Sequence, residues 1–163
     1  MALRPLTIVA LAVLGVLLTA CDRTPADAVL PVETYTLNGQ ALVTELALNP
    51  ADRLQGLSDR PRLAEDRGML FVFPDERRRA FVMRRCLIDI DIAFLNAAGE
   101  VINVHRMVRE PLDRDENLLT RYTSDAPALM ALELAAGGLD RYGLVPGTKI
   151  ELPVRELRRR AVR

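Results

Sequence analysis

The chain has 163 residues, of which 22 are Lys or Arg, 22 are Asp or Glu, one is His and two are Cys, and 50% are hydrophobic. That length suits one domain with its own core, and its balanced charge is unevenly spread: residues 22–153 carry a net −5 and residues 154–163 a net +4. The acidic body excludes general nucleic-acid binding, which needs a basic face, and the few His and Cys residues exclude a structural zinc site, which needs four such ligands.

The N-terminus has the parts of an export signal. Arg4 supplies the charge, Leu6 to Leu18 form an apolar run whose one polar member is Thr7, and the small residues Thr19 and Ala20 precede Cys21. Such a run is short for a permanent anchor, since a helix needs about 20 apolar residues to span a bilayer. The ending Leu18-Thr19-Ala20-Cys21 resembles the lipobox of bacterial lipoproteins, in which the cysteine thiol takes up lipid and becomes the new N-terminus. That resemblance implies a signal peptide over residues 1–20 and attachment to membrane lipid through acylated Cys21. Asp22 resembles an inner-membrane retention signal, so the expected location is the bacterial cell envelope, on the periplasmic face of the inner membrane. Residues 21–31, with Pro25 and Pro31, read as a tether. Residues 32–153 read as the domain and 154–163 as a basic tail, frayed and solvated or lying on anionic headgroups.

Within the domain, Asn38-Gly39 between two alternating segments predicts a β-hairpin. Asn49-Pro50 predicts a helix start, with Asn as the cap and the helix running to Leu57. Gly68 to Phe73 is an apolar run expected as a strand buried on both faces and ended by Pro74. Asp75 to Arg79 reads as a charged turn before a short strand over 80–83. A second hairpin joins Ile90–Leu95 to Glu100–His105 through Asn96–Gly99. Residues 109–121 form a long loop. Ala128 to Leu134 fits helix or strand and is taken as strand. A short helix over 138–143 and a last strand from Lys149 to Leu152 complete the chain. The fold class is α+β and β-rich: a single domain with a compact barrel-like or sandwich-like sheet and a few short helices.

Five segments occur in order: Gln55–Arg60, Gly68–Phe73, Phe81–Arg84, Ile90–Leu95 and Gly99–Val101. With Ala131–Gly137 and Gly143–Gly147 behind them, they resemble the bacterial and archaeal family named domain of unknown function 192, over residues 33 to 152. The resemblance implies a β-rich fold, often exported or lipid-anchored, and no established reaction. The family's central motif usually reads Phe-Trp-Met-Lys-Asn-Thr before Leu-Asp-Ile. This chain keeps Met83 and Asp91 but has Val82, Arg84, Arg85 and Cys86 at the Trp, Lys, Asn and Thr positions.

Candidate ligand-binding residues are Arg60, Met83, Arg84, Asp91 and Glu133. Arg84 has the fork that grips a carboxylate or phosphate. Asp91 either caps a neighbouring loop or pairs an arginine. Should it face Glu133, the two make a carboxylate pair suited to general acid/base work. The arginines before Cys86 are expected to favour its thiolate. No nucleophile elbow or phosphate-binding loop is present, and no cofactor or metal is expected. The leading expectation is a lipid-anchored periplasmic module that binds a small ligand or an envelope protein, without nucleic acid. The alternative is a hydrolase-like envelope enzyme using Asp91 and Glu133, or Cys86, with Arg84 in a cleft.

Overall fold

The computed structural model describes residues 29–163, so the signal segment, Cys21 and Asp22 lie outside the described residues. The first two strands, β1 (Val32–Leu37) and β2 (Gln40–Ala47), pair antiparallel. Asn38 and Gly39 both have positive φ, 48° and 75°, the signature of the tight primed turn that the dipeptide predicts. The Asn49 side chain caps α1 (Pro50–Gln55) by accepting from the Asp52 N–H at 2.9 Å. The helix ends short of Leu57 because Gly56, at φ 49°, turns the chain and drops Leu57 into the core.

Strand β3 (Arg67–Arg77) runs parallel to β2. It passes through Pro74 rather than ending there, and its register with β8 (Ala128–Ala135) shifts between Val72 and Arg77. A register break is where a strand tolerates a residue without an N–H. Much of the expected charged turn is therefore strand. A two-residue pair, β4 (Ala80–Phe81) with β7 (Tyr122–Thr123), forms a small second sheet. The hairpin β5 (Ile90–Leu95) and β6 (Val101–Met107) adds to the far side of β8, giving one mixed sheet in the order β1-β2-β3-β8-β5-β6. This is a β-rich single domain, and its sheet is open, with β1 and β6 as edges, rather than closed into a barrel.

Both faces of the sheet are covered, which explains the nearly unbroken apolar runs of β5 and β8. One face presents Leu70, Val72, Ala93, Leu95, Leu132 and Leu134 to α2 (Gly138–Tyr142), to the segment 144–152 and to α3 (Val154–Arg160). The other presents Met69, Phe71, Ile92, Phe94 and Ala131 to the loops carrying Leu57, Met83 and Cys86. The expected final strand is reduced to a single bridge between Glu100 and Lys149.

The basic tail is not frayed. Leu157 of α3 is fully buried, Arg160 pairs with Glu33, and the Val162 N–H donates to the Leu48 carbonyl at 3.0 Å. The Arg53 guanidinium in turn donates to the Val162 carbonyl at 2.8 Å. Among the described residues, no helix is long and apolar enough to cross a membrane.

Candidate ligand-binding cleft

On the face that carries Phe71, a cleft of about 460 Å³ opens between the α1–Ser58 segment and the chain from Arg77 to Cys86. That volume is within the range of small-molecule sites. The apolar wall is aromatic. Phe81 packs edge-on against Phe71 at 5.0 Å and against Phe94 at 5.6 Å between ring centroids. Phe73 lies beneath two guanidinium groups, that of Arg79 at 3.8 Å and that of Arg53 at 5.2 Å. Gly56 belongs to the same wall, where a Cβ would stand 3.2 Å from the Phe71 ring.

Two loops meet at the cleft edge and are tied together. The Ser58 hydroxyl donates to the Arg84 carbonyl at 2.8 Å, and the Asp59 N–H donates to the Arg85 carbonyl at 2.9 Å. Arg85 Nε returns a bond to Asp59 Oδ1 at 2.9 Å. Asp59 and Arg85 both adopt left-handed backbone, φ 64° and 53°, which costs a non-glycine residue energy that the mutual ties must offset.

Charge is concentrated here. Arg53, Arg77, Arg78, Arg79 and Arg84 line the cleft against two acids, Glu116 and Glu133. Arg53 is engaged with the Leu48 and Val72 carbonyls, and Arg79 with Asp75 and the Ala128 carbonyl. Burial lowers the pKa of both from the usual arginine value. Arg77 is well exposed beside Asp75, and Arg78 makes one long bond, 3.3 Å, to the Ser124 carbonyl. Arg84 donates to the Leu54 carbonyl and stands 3.8 Å from Glu116.

Glu133 is the buried acid of the site. It occupies the middle of β8, opposite Met69 on β3 and Ile92 on β5, and is 5% exposed. Among the described residues none hydrogen-bonds its carboxyl, and it lines the cleft. Burial pushes its pKa up to about 8, and the positive charge of Arg60 pulls it back only in part. At neutral pH Glu133 is therefore largely a neutral carboxylic acid. Arg60 itself is held by Glu45 in a two-pronged ion pair, both contacts 2.6 Å, and does not line the cleft.

The remaining sequence candidates separate. Asp91 is buried on the opposite face of the sheet, where its Oδ2 accepts from the Leu139 N–H of α2 at 3.1 Å. Register decides this: Ile92, not Asp91, pairs with Glu133, so the two carboxylates point to opposite faces and form no pair. Met83 is a core residue behind the loop. Cys86 lines the cleft, but its thiol is pushed up to about 12 by burial and then by Glu133, with Arg84 acting the other way. The thiolate expected from the neighbouring arginines is thus not favoured, because desolvation outweighs their charge. Among the described residues no three His, Cys, Asp or Glu side chains are placed to hold a metal ion.

The aromatic wall and the Arg77–Arg79 rim were not read from the sequence as site residues. Their signal was Phe71, Phe73 and Phe81 bracketing three consecutive arginines, a pattern that also fits a core strand leading into a turn.

Comparison with known proteins places the chain. The family model DUF192, described as Uncharacterized ACR, matches residues 33–152. No curated protein matches significantly. Among solved structures, a Sinorhizobium meliloti 1021 protein provisionally described as a transcription regulator is 32% identical, with a TM-score of 0.62 over 74% of this chain and 90% of its own. A protein of unknown function from Novosphingobium aromaticivorans DSM 12444 is 28% identical, with a TM-score of 0.65 over 79% of this chain and 90% of its own.

Proposed function

This chain belongs to the DUF192 family, and on that premise we propose that it is a lipid-anchored, periplasmic module that binds a small ligand in the cleft beside Glu133. The observation that carries the reading is the cleft itself. A cavity of about 460 Å³ with an aromatic wall gathers five arginines within a body whose net charge is −5. Concave, mostly apolar sites with a few convergent polar groups are the usual form of small-molecule sites. Arg84 and Glu133 serve as polar contacts, Arg60 tunes Glu133, Met83 supports the loop from behind, and Asp91 holds α2.

The anchor is Cys21, sorted by Asp22 to the inner membrane, with membrane lipid as a partner and no nucleic acid. The transcription-regulator description of the Sinorhizobium meliloti relative does not carry over well to a body with this acidic balance. The enzyme alternative keeps only Glu133, since a raised carboxyl is what a general acid needs. It lacks a partner for the proton, with Asp91 on the other face and Cys86 protonated.

Two measurements test the proposal. Mass spectrometry of the mature N-terminal peptide is expected to find acylated Cys21; an unmodified cysteine, or cleavage elsewhere, refutes the anchor. Native mass spectrometry of the chain purified from membranes is expected to show a small molecule that Arg84→Ala loses and Asp91→Asn retains. Equal retention in both variants removes the cleft as the site.

A further inference from the structure

The chemistry of the cleft narrows its ligand, if the binding reading above holds. Its mouth is cationic, since Arg77 and Arg78 each keep donors beyond a single protein contact and Arg84 keeps donors beyond its bond to the Leu54 carbonyl and its 3.8 Å approach to Glu116. Its wall is the half-buried ring of Phe81, backed by the buried ring of Phe71. Farther in lies one polar side chain, 95% removed from solvent and without a hydrogen-bond partner among the described residues.

A carboxyl this deeply buried keeps only a small part of its hydration, at the cleft surface, and the part it loses is costly unless a hydrogen bond replaces it. A ligand that supplies such a bond recovers that cost on binding, whereas an apolar ligand of the same shape leaves it unrecovered. We infer that the cleft selects small anions with a flat apolar body and, remote from the charge, a neutral hydroxyl or amide group that hydrogen-bonds to Glu133. The anionic group, a carboxylate or phosphate, sits among Arg77, Arg78 and Arg84, where a planar fork can hold it by two bonds. The apolar body lies against Phe81, which Phe71 backs from the core. The hydroxyl or amide is recognised because the acid can both donate to it and accept from it.

The test uses three probes titrated calorimetrically into the purified full chain in detergent at neutral pH: para-hydroxyphenylacetate, phenylacetate and para-hydroxyphenylacetamide. Para-hydroxyphenylacetate is expected to bind best. Removing the hydroxyl is expected to weaken binding roughly ten-fold, and neutralising the carboxylate by at least as much, since one lost bond to a buried group is worth about that factor. Glu133→Met is expected to erase the difference between the first two probes, and Arg84→Gln to erase the difference between the first and third. Equal affinity of the hydroxylated and plain acids for the wild-type chain overturns the role of Glu133 and leaves the binding module standing. Preference for the amide overturns the anionic class. If none of the probes binds while the native mass measurement still shows a cleft-dependent ligand, the class assigned here is wrong and the module is not. The wild-type ladder decides these outcomes even if Glu133→Met fails to fold.

Discussion

Replacing Glu133 by Gln is expected to change how stability depends on pH. Glu133 ionises at about 8 in the folded chain, because burial disfavours the charge, against 4.5 for an ordinary glutamate. Between those values the unfolded chain releases the proton and the folded chain keeps it. The folded state thus holds more protons, and stability falls as pH rises. At about 1.4 kcal/mol per pH unit, the gap corresponds to a ceiling near 5 kcal/mol, of which about 3.5 kcal/mol falls between pH 5 and pH 8. Gln has nearly the same shape as the neutral acid and no charge to release. The assay is urea unfolding of both proteins at pH 5, 6, 7 and 8, followed by circular dichroism. Their difference cancels every other titrating group. Glu133→Gln is expected to gain steadily on the wild type, ending about 3.5 kcal/mol better at pH 8 than at pH 5. Parallel stability curves would falsify the claim that this carboxyl is held neutral.

Three further outcomes follow from the packing and the site. Leu157→Ala is expected to cost about 2–5 kcal/mol in chemical denaturation, because this fully buried side chain docks α3; a loss near zero means the tail is not part of the fold. Asp91→Ala is expected to cost about 1–3 kcal/mol by orphaning the buried Leu139 N–H. Asp91→Asn keeps an acceptor and should cost much less, and equal losses for the two changes refute the capping role. Cys86 of the native chain is expected to react with iodoacetamide at pH 8 at least about a hundred-fold more slowly than a free thiol, since little thiolate forms. Reaction at the free-thiol rate contradicts that burial.

What the sequence made legible was local. Asn38-Gly39 specifies its turn through the backbone those two residues can adopt, and Asn49-Pro50 starts its helix through a bond three residues away. What it hid depends on partners distant in the chain. β5 and β8 are buried on both faces, so neither alternates, and each carries one acid in an apolar run. Whether Asp91 and Glu133 share a face depends on the pairing of strands some 40 residues apart, and a slip of one residue would reverse the answer. The cleft rim was hidden differently. Arg77 to Arg79 read as a turn because β3 leaves the main sheet there, and the partner that redirects the chain is Tyr122–Thr123, a strand too short to carry a period.

Glu133 also bears on what the cleft is for. Its neighbours across the strands are Met69 and Ile92, and its neighbours along β8 are Leu132 and Leu134. An apolar side chain of similar length would continue that packing without desolvating a carboxyl. Glu133→Met is therefore expected to be more stable than the wild type at pH 8, where most of the ionisation penalty is present, and less markedly so at pH 5. A position at which the simplest stabilising change is also the one that removes the buried carboxyl of a cleft is better explained by function than by folding. Arg60 supports the same view, because its charge eases ionisation of Glu133 from outside the cleft while Glu45 holds it in place. A Glu133→Met protein less stable than wild type at pH 8 would mean that the carboxyl has a structural partner, and the argument for a ligand contact at this position would fail with it.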